Sequence, residues 1–218
     1  MVKDRKLIVL VSTLGLLFAV SSASAERLVL GWDTLAPPQA VIEDPFAKLT
    51  RDQLDALRQI LRFESSKNSP TPSMTSKNAS ELRDRLLGEG LDVDWLFEQR
   101  ERIIEKRRAQ STAVNPEIIG AEVRMPGYVL PLEFDGLKVT EFLLVPYAGA
   151  CIHTPPPPAN QMVHVTYEKG IEVSGLFAPV WIEGEMNAAY SVQDVGFSDG
   201  ASRVEVGYGM SAETVELY

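Results

Sequence analysis

The hydrophobic and polar positions of this chain change pattern near residue 116, from a helical repeat to short alternating runs. In the first part, Leu54, Leu57 and Leu61 recur at the spacing of one helix face. Thr50 and Gln53 stand just before them in the order of a capping box. The pattern therefore predicts an amphipathic helix that begins after Thr50.

A linker separates this helix from the next helical pattern. Residues 65–80 are rich in Ser, Pro, Thr and Asn and contain few apolar residues, which is typical of a flexible linker. Asn78 and Glu81 predict the start of a short helix, and Gly88 and Gly90 predict its end.

Two further sites favour helix starts. Asp44–Pro45 is one of them, and Asp92 precedes a longer helix predicted over residues 93–109. The predicted buried face of this longer helix consists of Trp95, Leu96 and Ile103. Its other side alternates acidic and basic residues, which favours an ion-paired, solvated surface over an anion-binding one.

After residue 116 the chain consists of short β-rich runs separated by Gly, Pro and Asp. Asp135–Gly136 predicts a hairpin turn, and Gly127 and Pro131–Leu132 predict a bulged, bent first strand. About five strands in this length predict an OB-like barrel, so the fold class is α+β. The predicted strands cover residues 122–132, 138–145, 162–167, 179–185 and a last pair near 203–215.

The first 25 residues predict a cleavable export signal. Lys3, Arg5 and Lys6 precede an uncharged run of 14 residues, 7–20, and Ala23-Ser24-Ala25 is typical of a cleavage site. The mature chain is then expected to begin at Glu26, and no later segment is predicted to span a bilayer. The periplasm is the favoured compartment. The expected organisation is a signal over 1–25, a helical region over 26–116 and an OB-like β domain over 117–218.

Charge is distributed unevenly and narrows the classes of partner. The whole chain has 21 basic and 30 acidic residues, and the part from residue 117 onwards has a net charge of −10, from 4 basic and 14 acidic residues. Such a field repels polyanions and attracts cations, so nucleic-acid binding is excluded. An acidic surface that only keeps the protein soluble is an equally good interpretation.

The residues most capable of chemistry cluster in one short segment. Cys151, His153 and His164 are the only cysteine and the only two histidines of the chain, and they fall within 14 consecutive residues. A thiolate and two imidazoles suit Zn(II) or another transition metal. A carboxylate such as Glu141 or Glu168 is a candidate for the open fourth position. No HExxH or GxSxG motif occurs, so metal handling is favoured over catalysis.

Four prolines lie between the candidate ligands. Residues 155–158 predict a stiff polyproline II rod, so the chain can turn back only near Asn160 and Gln161. These two amides are expected to fix the turn, or to orient the imidazole ring of a metal ligand by a hydrogen bond without binding the metal themselves. The rod itself consists of Pro155, Pro156, Pro157 and Pro158.

The segment CIHTPPPPANQ, with MPGYVLPLE and FLLVPY before it and Trp32 near the mature start, resembles an exported bacterial family of unknown function. The resemblance covers most of the mature chain. It implies that the gene is encoded beside ABC-type export or metal-uptake systems. Membrane transporter components are therefore candidate partners.

Three interpretations of the segment remain open. In the first, the protein is a periplasmic zinc-associated binding protein, an accessory to a transporter. In the second, the proline loop binds a partner protein, and Cys151 is only a small buried residue. In the third, Cys151 is a catalytic nucleophile, for which no orienting group is identifiable in the sequence.

Overall fold

The computed structural model describes residues 27–68, 74–151, 155–197 and 200–218. Within these ranges the chain has a mixed α/β fold, in which three α-helices precede most of a six-stranded, mostly antiparallel sheet. No helix in the described ranges is long and apolar enough to cross a bilayer. The predicted signal segment lies outside the described residues.

The three helices are α1 (Arg51–Ser66), α2 (Ser76–Gly88) and α3 (Val93–Thr112). The predicted capping box of α1 is confirmed, because the backbone N–H of Gln53 donates to Thr50 Oγ1 and the backbone N–H of Thr50 donates to Gln53 Oε1. These two bonds satisfy N–H groups that no earlier helical carbonyl can reach.

The helices differ from the prediction at three places. They extend into both ends of the predicted linker, because α1 continues to Ser66 and the side chain of Thr75 caps α2, so that this helix begins at Ser76. The Asp44–Pro45 start produces a short 3-10 turn. Trp95 is 48% exposed and does not belong to the buried face of α3. That face follows the helical repeat Val93, Leu96 and Ile103, from which Trp95 is displaced around the helix.

The strands of the sheet are longer than the sequence indicates. A two-residue strand, β1 (Leu28–Val29), precedes the helices. The long strands are β2 (Glu122–Asp135), β3 (Lys138–Val145), β4 (Val163–Ile171), β5 (Ala178–Phe197) and β6 (Gly200–Leu217).

Strand order places β3 and β4 in the middle of the sheet. The order is β1-β2-β3-β4-β6-β5, and β2 also pairs with β5. The β1–β2 and β4–β6 pairs are parallel, and the other pairs are antiparallel. Both faces of β3 are covered, because Phe142 to Val145 are all buried.

The predicted turn and bulge are confirmed. Gly136 has a φ of 62° in the turn between β2 and β3, a left-handed conformation that glycine adopts without steric cost. The pairing of β2 with β3 shifts register at Pro131 and Glu133, next to the predicted Pro131–Leu132 bulge. The bulge lies beyond the part of β2 that pairs with β5, residues 122–129, where Gly127 pairs with Val180 without a register shift.

Alternate residues of β2 and β3 point into two different apolar cores. The main core contains Val129, Phe142 and Leu144 together with Val163, Val165 and Tyr208. The second, here called the loop core, contains Leu130, Leu143 and Val145, with contributions from the β5–β6 hairpin and the β3–β4 connection. The hairpin residues of the loop core are Val195, Val204 and Val206, and the residues from the connection are Ala150, Cys151 and Met162.

The helices have their own small core and are tied to the sheet by buried polar groups. Ile60, Leu86 and Leu96 belong to this helical core. The fully buried Tyr208 of β6 donates its hydroxyl hydrogen bond to the carbonyl of Leu35 and accepts one from the backbone N–H of Asn115. The segments on both sides of the helices are thereby held against the sheet.

Candidate functional site

The connection between β3 and β4, residues 146–162, brings Cys151 into the loop core. Cys151 is 8% exposed and belongs to the same apolar cluster as Leu143 and Met162. Its φ is 69°, a left-handed conformation that is uncommon for a residue with a Cβ. Burial of the side chain therefore accompanies a strained backbone at this position.

Burial controls the chemistry of the thiol. Desolvation raises the pKa of Cys151 from its ordinary value of 9.0 to about 11, because an apolar environment disfavours the thiolate. At neutral pH the thiol is therefore protonated, and a protonated thiol is a weak nucleophile. This state disfavours the interpretation of Cys151 as a catalytic residue.

His164 forms a close pair with a carboxylate on the neighbouring strand. Its Nε2 lies 2.6 Å from Oε1 of Glu141, and both side chains are partly exposed. Glu141 belongs to β3 and His164 to β4, so the antiparallel pairing of these strands creates the pair. A carboxylate that accepts from one ring nitrogen leaves Nδ1 as the free acceptor of the imidazole.

Strand register places His164 and Cys151 on the same side of the sheet. His164 is directly opposite Leu143, and directly opposite residues project from the same face of a sheet. Leu143 belongs to the loop core, which also contains Cys151. The fold thus brings two of the three predicted ligands to one face.

The third predicted ligand, His153, lies outside the described residues. Among the residues that the structure describes, no three or more His, Cys, Asp or Glu side chains form a group able to hold a metal ion. Within the described ranges, the histidine and carboxylate that meet near the predicted site are His164 and Glu141.

Asn160 anchors the connection to the helical region. It is 2% exposed, and its Nδ2 donates to the carbonyls of Gln110 and Ala113, at 2.8 Å each. These carbonyls belong to the end of α3, where helical carbonyls lack partners within the helix. The described partners of Asn160 Nδ2 are therefore backbone carbonyls, and the expected role of orienting an imidazole ring stays a prediction for His153, which lies outside the described residues.

The turn after the proline rod is confirmed. Residues Ala159–Gln161 form a 3-10 turn, in which Gln161 donates its Nε2 hydrogen bond to the carbonyl of Asn160. This turn packs against β6 so closely that a Cβ on Gly207 would lie 2.9 Å from the carbonyl oxygen of Ala159.

The prolines divide into one anchor and three exposed residues. Pro157 is buried, whereas Pro155, Pro156 and Pro158 are exposed. Pro158 has φ −54° and ψ 150°, which is extended backbone of the polyproline II type. The rod thus presents apolar rings to solvent while Pro157 and Asn160 fix its end.

Two functional contacts could not be identified from the sequence. Glu141 is one of two carboxylates that the sequence offers as candidates near the metal, and it lies 23 residues from His164. The strand register that brings the two side chains together includes a shift between Val139 and Glu141. The contact of Asn160 with the end of α3 spans about 50 residues and two fold regions. A charged residue directly before the apolar run Phe142–Val145 of β3 is the available signal for Glu141.

Comparison with known proteins identifies the family of the chain. Residues 32–217 match the model of a family described as "Protein of unknown function (DUF3299)". The crystal structure of a DUF3299 family protein from Pseudomonas aeruginosa PAO1 is 28% identical, covers 88% of this chain and 97% of that chain, and has a TM-score of 0.47. No curated protein gives a significant match. Because the family model covers most of its length, the chain belongs to the DUF3299 family.

Proposed function

We propose that this protein is a periplasmic metal-binding protein that holds zinc between the β3–β4 connection and β4. The observation that carries the proposal is the placement of Cys151 and of the His164–Glu141 pair on one face of the sheet. A cysteine and a histidine are two of the ligand types that zinc prefers in proteins. His153, taken from the sequence, is the third ligand of the proposal.

Glu141 acts in this proposal as a positioning group. Its Oε1 accepts a hydrogen bond from Nε2 of His164 at 2.6 Å, a separation that suits a hydrogen bond and leaves no space for an ion between the two atoms. The ring then presents Nδ1 to the metal. Carboxylate–histidine–metal arrangements of this kind fix the tautomer and make the ring more basic.

Metal binding at Cys151 requires release of a proton. Because burial raises the pKa of this thiol to about 11, an ion must displace the proton in order to bind the thiolate. Zinc affinity is therefore expected to rise with pH. The partly exposed His164 provides the side from which an ion enters.

We also propose that the metal is passed to or from a membrane transporter. Export is supported by the basic and apolar pattern of residues 1–25, and cation attraction is supported by the net charge of −10 after residue 116. The transporter is supported by the family resemblance of the CIHTPPPPANQ segment alone.

The long strands are proposed to form an OB-like barrel. Supporting this, the pairings run from β2 through β3, β4, β6 and β5 and return to β2, with one parallel pair between β4 and β6. OB folds bind ligands on the face of their second and third strands, which correspond to β3 and β4 in this order. The His164–Glu141 pair lies on these two strands.

A competitive zinc titration of the reduced mature protein against a chromophoric chelator tests the proposal. We expect one ion per chain with sub-micromolar affinity, and a loss of at least about tenfold in Cys151→Ser, His153→Ala and His164→Ala. Glu141→Gln is expected to weaken binding by a factor of about 10 to 100, because the orienting carboxylate is removed.

Glu185→Gln is the matched control, since Glu185 is an exposed carboxylate of the same sheet, on β5, and is not one of the candidate ligands. It should leave zinc affinity unchanged. Absence of binding in the wild-type protein, or equal binding in Cys151→Ser, would refute the proposed site.

A second candidate function is protein interaction through the proline rod. The observation that favours it is the exposure of Pro155, Pro156 and Pro158 on a segment anchored by the buried Asn160. A pre-formed polyproline II segment binds aromatic grooves at low entropic cost. In this role Cys151 is an apolar packing residue.

The two functions respond to different variants. Pro156→Ala should weaken association with a transporter component without changing zinc affinity if the rod is the binding element. Cross-linking of the wild-type and variant proteins in intact cells, followed by mass spectrometry, measures that association. Equal cross-linking of both proteins to the same membrane protein would exclude the rod as the contact.

A further inference from the structure

The helical region contains a groove that neither the metal site nor the proline rod uses. It is a cavity of about 290 Å³ between α1 and α3. Its lining includes the ion pair between Arg107 of α3 and Asp44, which precedes the 3-10 turn Pro45–Lys48. The groove is therefore bounded by both helices and by the segment that precedes α1.

The floor of the groove is apolar. Leu54, Leu57 and Leu61 of α1 repeat along one side, and Phe97 of α3 and Phe46 of the preceding 3-10 turn complete the floor. Leu57 is buried, but the other four side chains are only partly buried. Apolar surface at the bottom of a recess is a favourable site for a hydrocarbon chain.

Arginines surround this apolar floor. Arg58, Arg100 and Arg107 line the groove, with Asp44 as the one lining carboxylate. Each arginine has one described ion pair, to Asp55, Glu101 and Asp44 respectively. A guanidinium has five N–H donors, so one carboxylate leaves donors for a further anion.

From this combination we infer that the groove binds a single-chain amphiphile with an anionic head, such as a fatty acid. The hydrocarbon chain lies on the leucine and phenylalanine floor, and the carboxylate is held by Arg58 and Arg100. An extended membrane surface fits less well, because Leu57 is buried and the other apolar lining residues are only partly exposed, so that a flat surface cannot reach the floor of the recess. The ligand of the proposal is therefore a free monomer.

Calorimetric titration of the mature protein with sodium decanoate, below the concentration at which it forms micelles, tests the inference. We expect saturable one-to-one binding that strengthens about fourfold for each methylene added from hexanoate to decanoate. Decanol should bind at least about tenfold more weakly than decanoate, because it has no charge for the arginines to hold.

Arg58→Gln and Arg100→Gln should weaken decanoate binding and leave decanol binding unchanged. Arg102→Gln is the matched control, since Arg102 is an exposed arginine of α3 that pairs with Glu98 and does not line the groove. The inference would be overturned if decanoate did not bind saturably, or if both Arg58→Gln and Arg100→Gln bound it as tightly as the wild-type protein. Binding of inorganic phosphate as tight as that of decanoate would also overturn it. Binding to anionic vesicles without binding of the monomer would also overturn it.

Discussion

At the scale of the residue, Cys151 carries most of the chemical information in the molecule. Its side chain is buried in the loop core, its backbone is left-handed, and its thiol retains a proton at neutral pH. A metal ion is the ligand that most directly compensates such a thiol, because coordination replaces the proton and stabilises the thiolate. His164 differs from it in being partly exposed and already oriented by Glu141.

Proton linkage at Cys151 predicts a loss of stability at alkaline pH. The folded-state pKa of about 11 is above the ordinary value of 9.0, so the folded state retains a proton that the unfolded state loses. The resulting stabilisation is complete below about pH 9 and disappears as the pH rises through about 11. In urea unfolding without metal, the wild-type protein should lose more free energy of unfolding over this range than Cys151→Ser. Equal losses in the two proteins would contradict the shifted pKa.

At the scale of the element, the β3–β4 connection is held by contacts outside its own sequence. Asn160 binds the end of α3, and the 3-10 turn Ala159–Gln161 packs on Gly207 of β6. These contacts determine where the proline rod ends and therefore where Cys151 and His164 lie relative to each other. The motif that suggested a metal site thus also has a structural role, which joins the helical region to the sheet.

The structural role of Asn160 predicts that Asn160→Ala destabilises the fold. Two partly buried carbonyls, of Gln110 and Ala113, lose the amide donor, although Gln39 Nε2 still donates to the Gln110 carbonyl. The free energy of unfolding should fall by about 1–3 kcal/mol in urea titrations. Asn187→Ala is the control, because Asn187 is exposed and contacts only the nearby carbonyl of Glu185 among its described side-chain hydrogen bonds. Equal stability of the two variants would show that the anchor is not needed.

Close packing of β2 on β3 predicts that Gly127→Ala is also destabilising. A Cβ at this position would lie 2.5 Å from Cγ of Leu144, which is fully buried in the main core. Overpacking of this kind costs about 1–3 kcal/mol. Gly196→Ala in β5 is the control, since no described atom outside the adjoining residues lies within 4 Å of the added methyl group. Thermal unfolding of both variants measures the difference, and an unchanged melting temperature for Gly127→Ala would contradict the packing.

Local signals in the sequence predicted the local structure well. The capping box at Thr50, the turn at Gly136 and the bulge near Pro131 are each determined by neighbouring residues, and the structure confirms them. Strand lengths were underestimated: β5 extends to Phe197, because the β5–β6 hairpin continues beyond the main core and covers the loop core with Val195 and Val204. This extension depends on packing between distant segments, which no local pattern reports.

At the scale of the whole molecule, the sheet separates two apolar cores and the helices contribute a third. Cys151 and His164 share a face of the sheet, while His153 lies outside the described residues, so the predicted metal-ligand set stays a prediction. The pairing of His164 with Glu141 required the register of β3 and β4, which hydrophobic alternation alone does not determine. The metal proposal therefore depends most on one claim, that the thiolate of Cys151 binds the ion.

Cobalt(II) absorption spectroscopy of the reduced mature protein tests that claim most directly. If Cys151 and His164 hold one ion, cobalt should give a thiolate-to-metal charge-transfer band together with the visible bands of tetrahedral coordination. Zinc should remove both sets of bands, and Cys151→Ser should lack the charge-transfer band. A wild-type spectrum without the charge-transfer band, or a Cys151→Ser spectrum that retains it, would contradict the account.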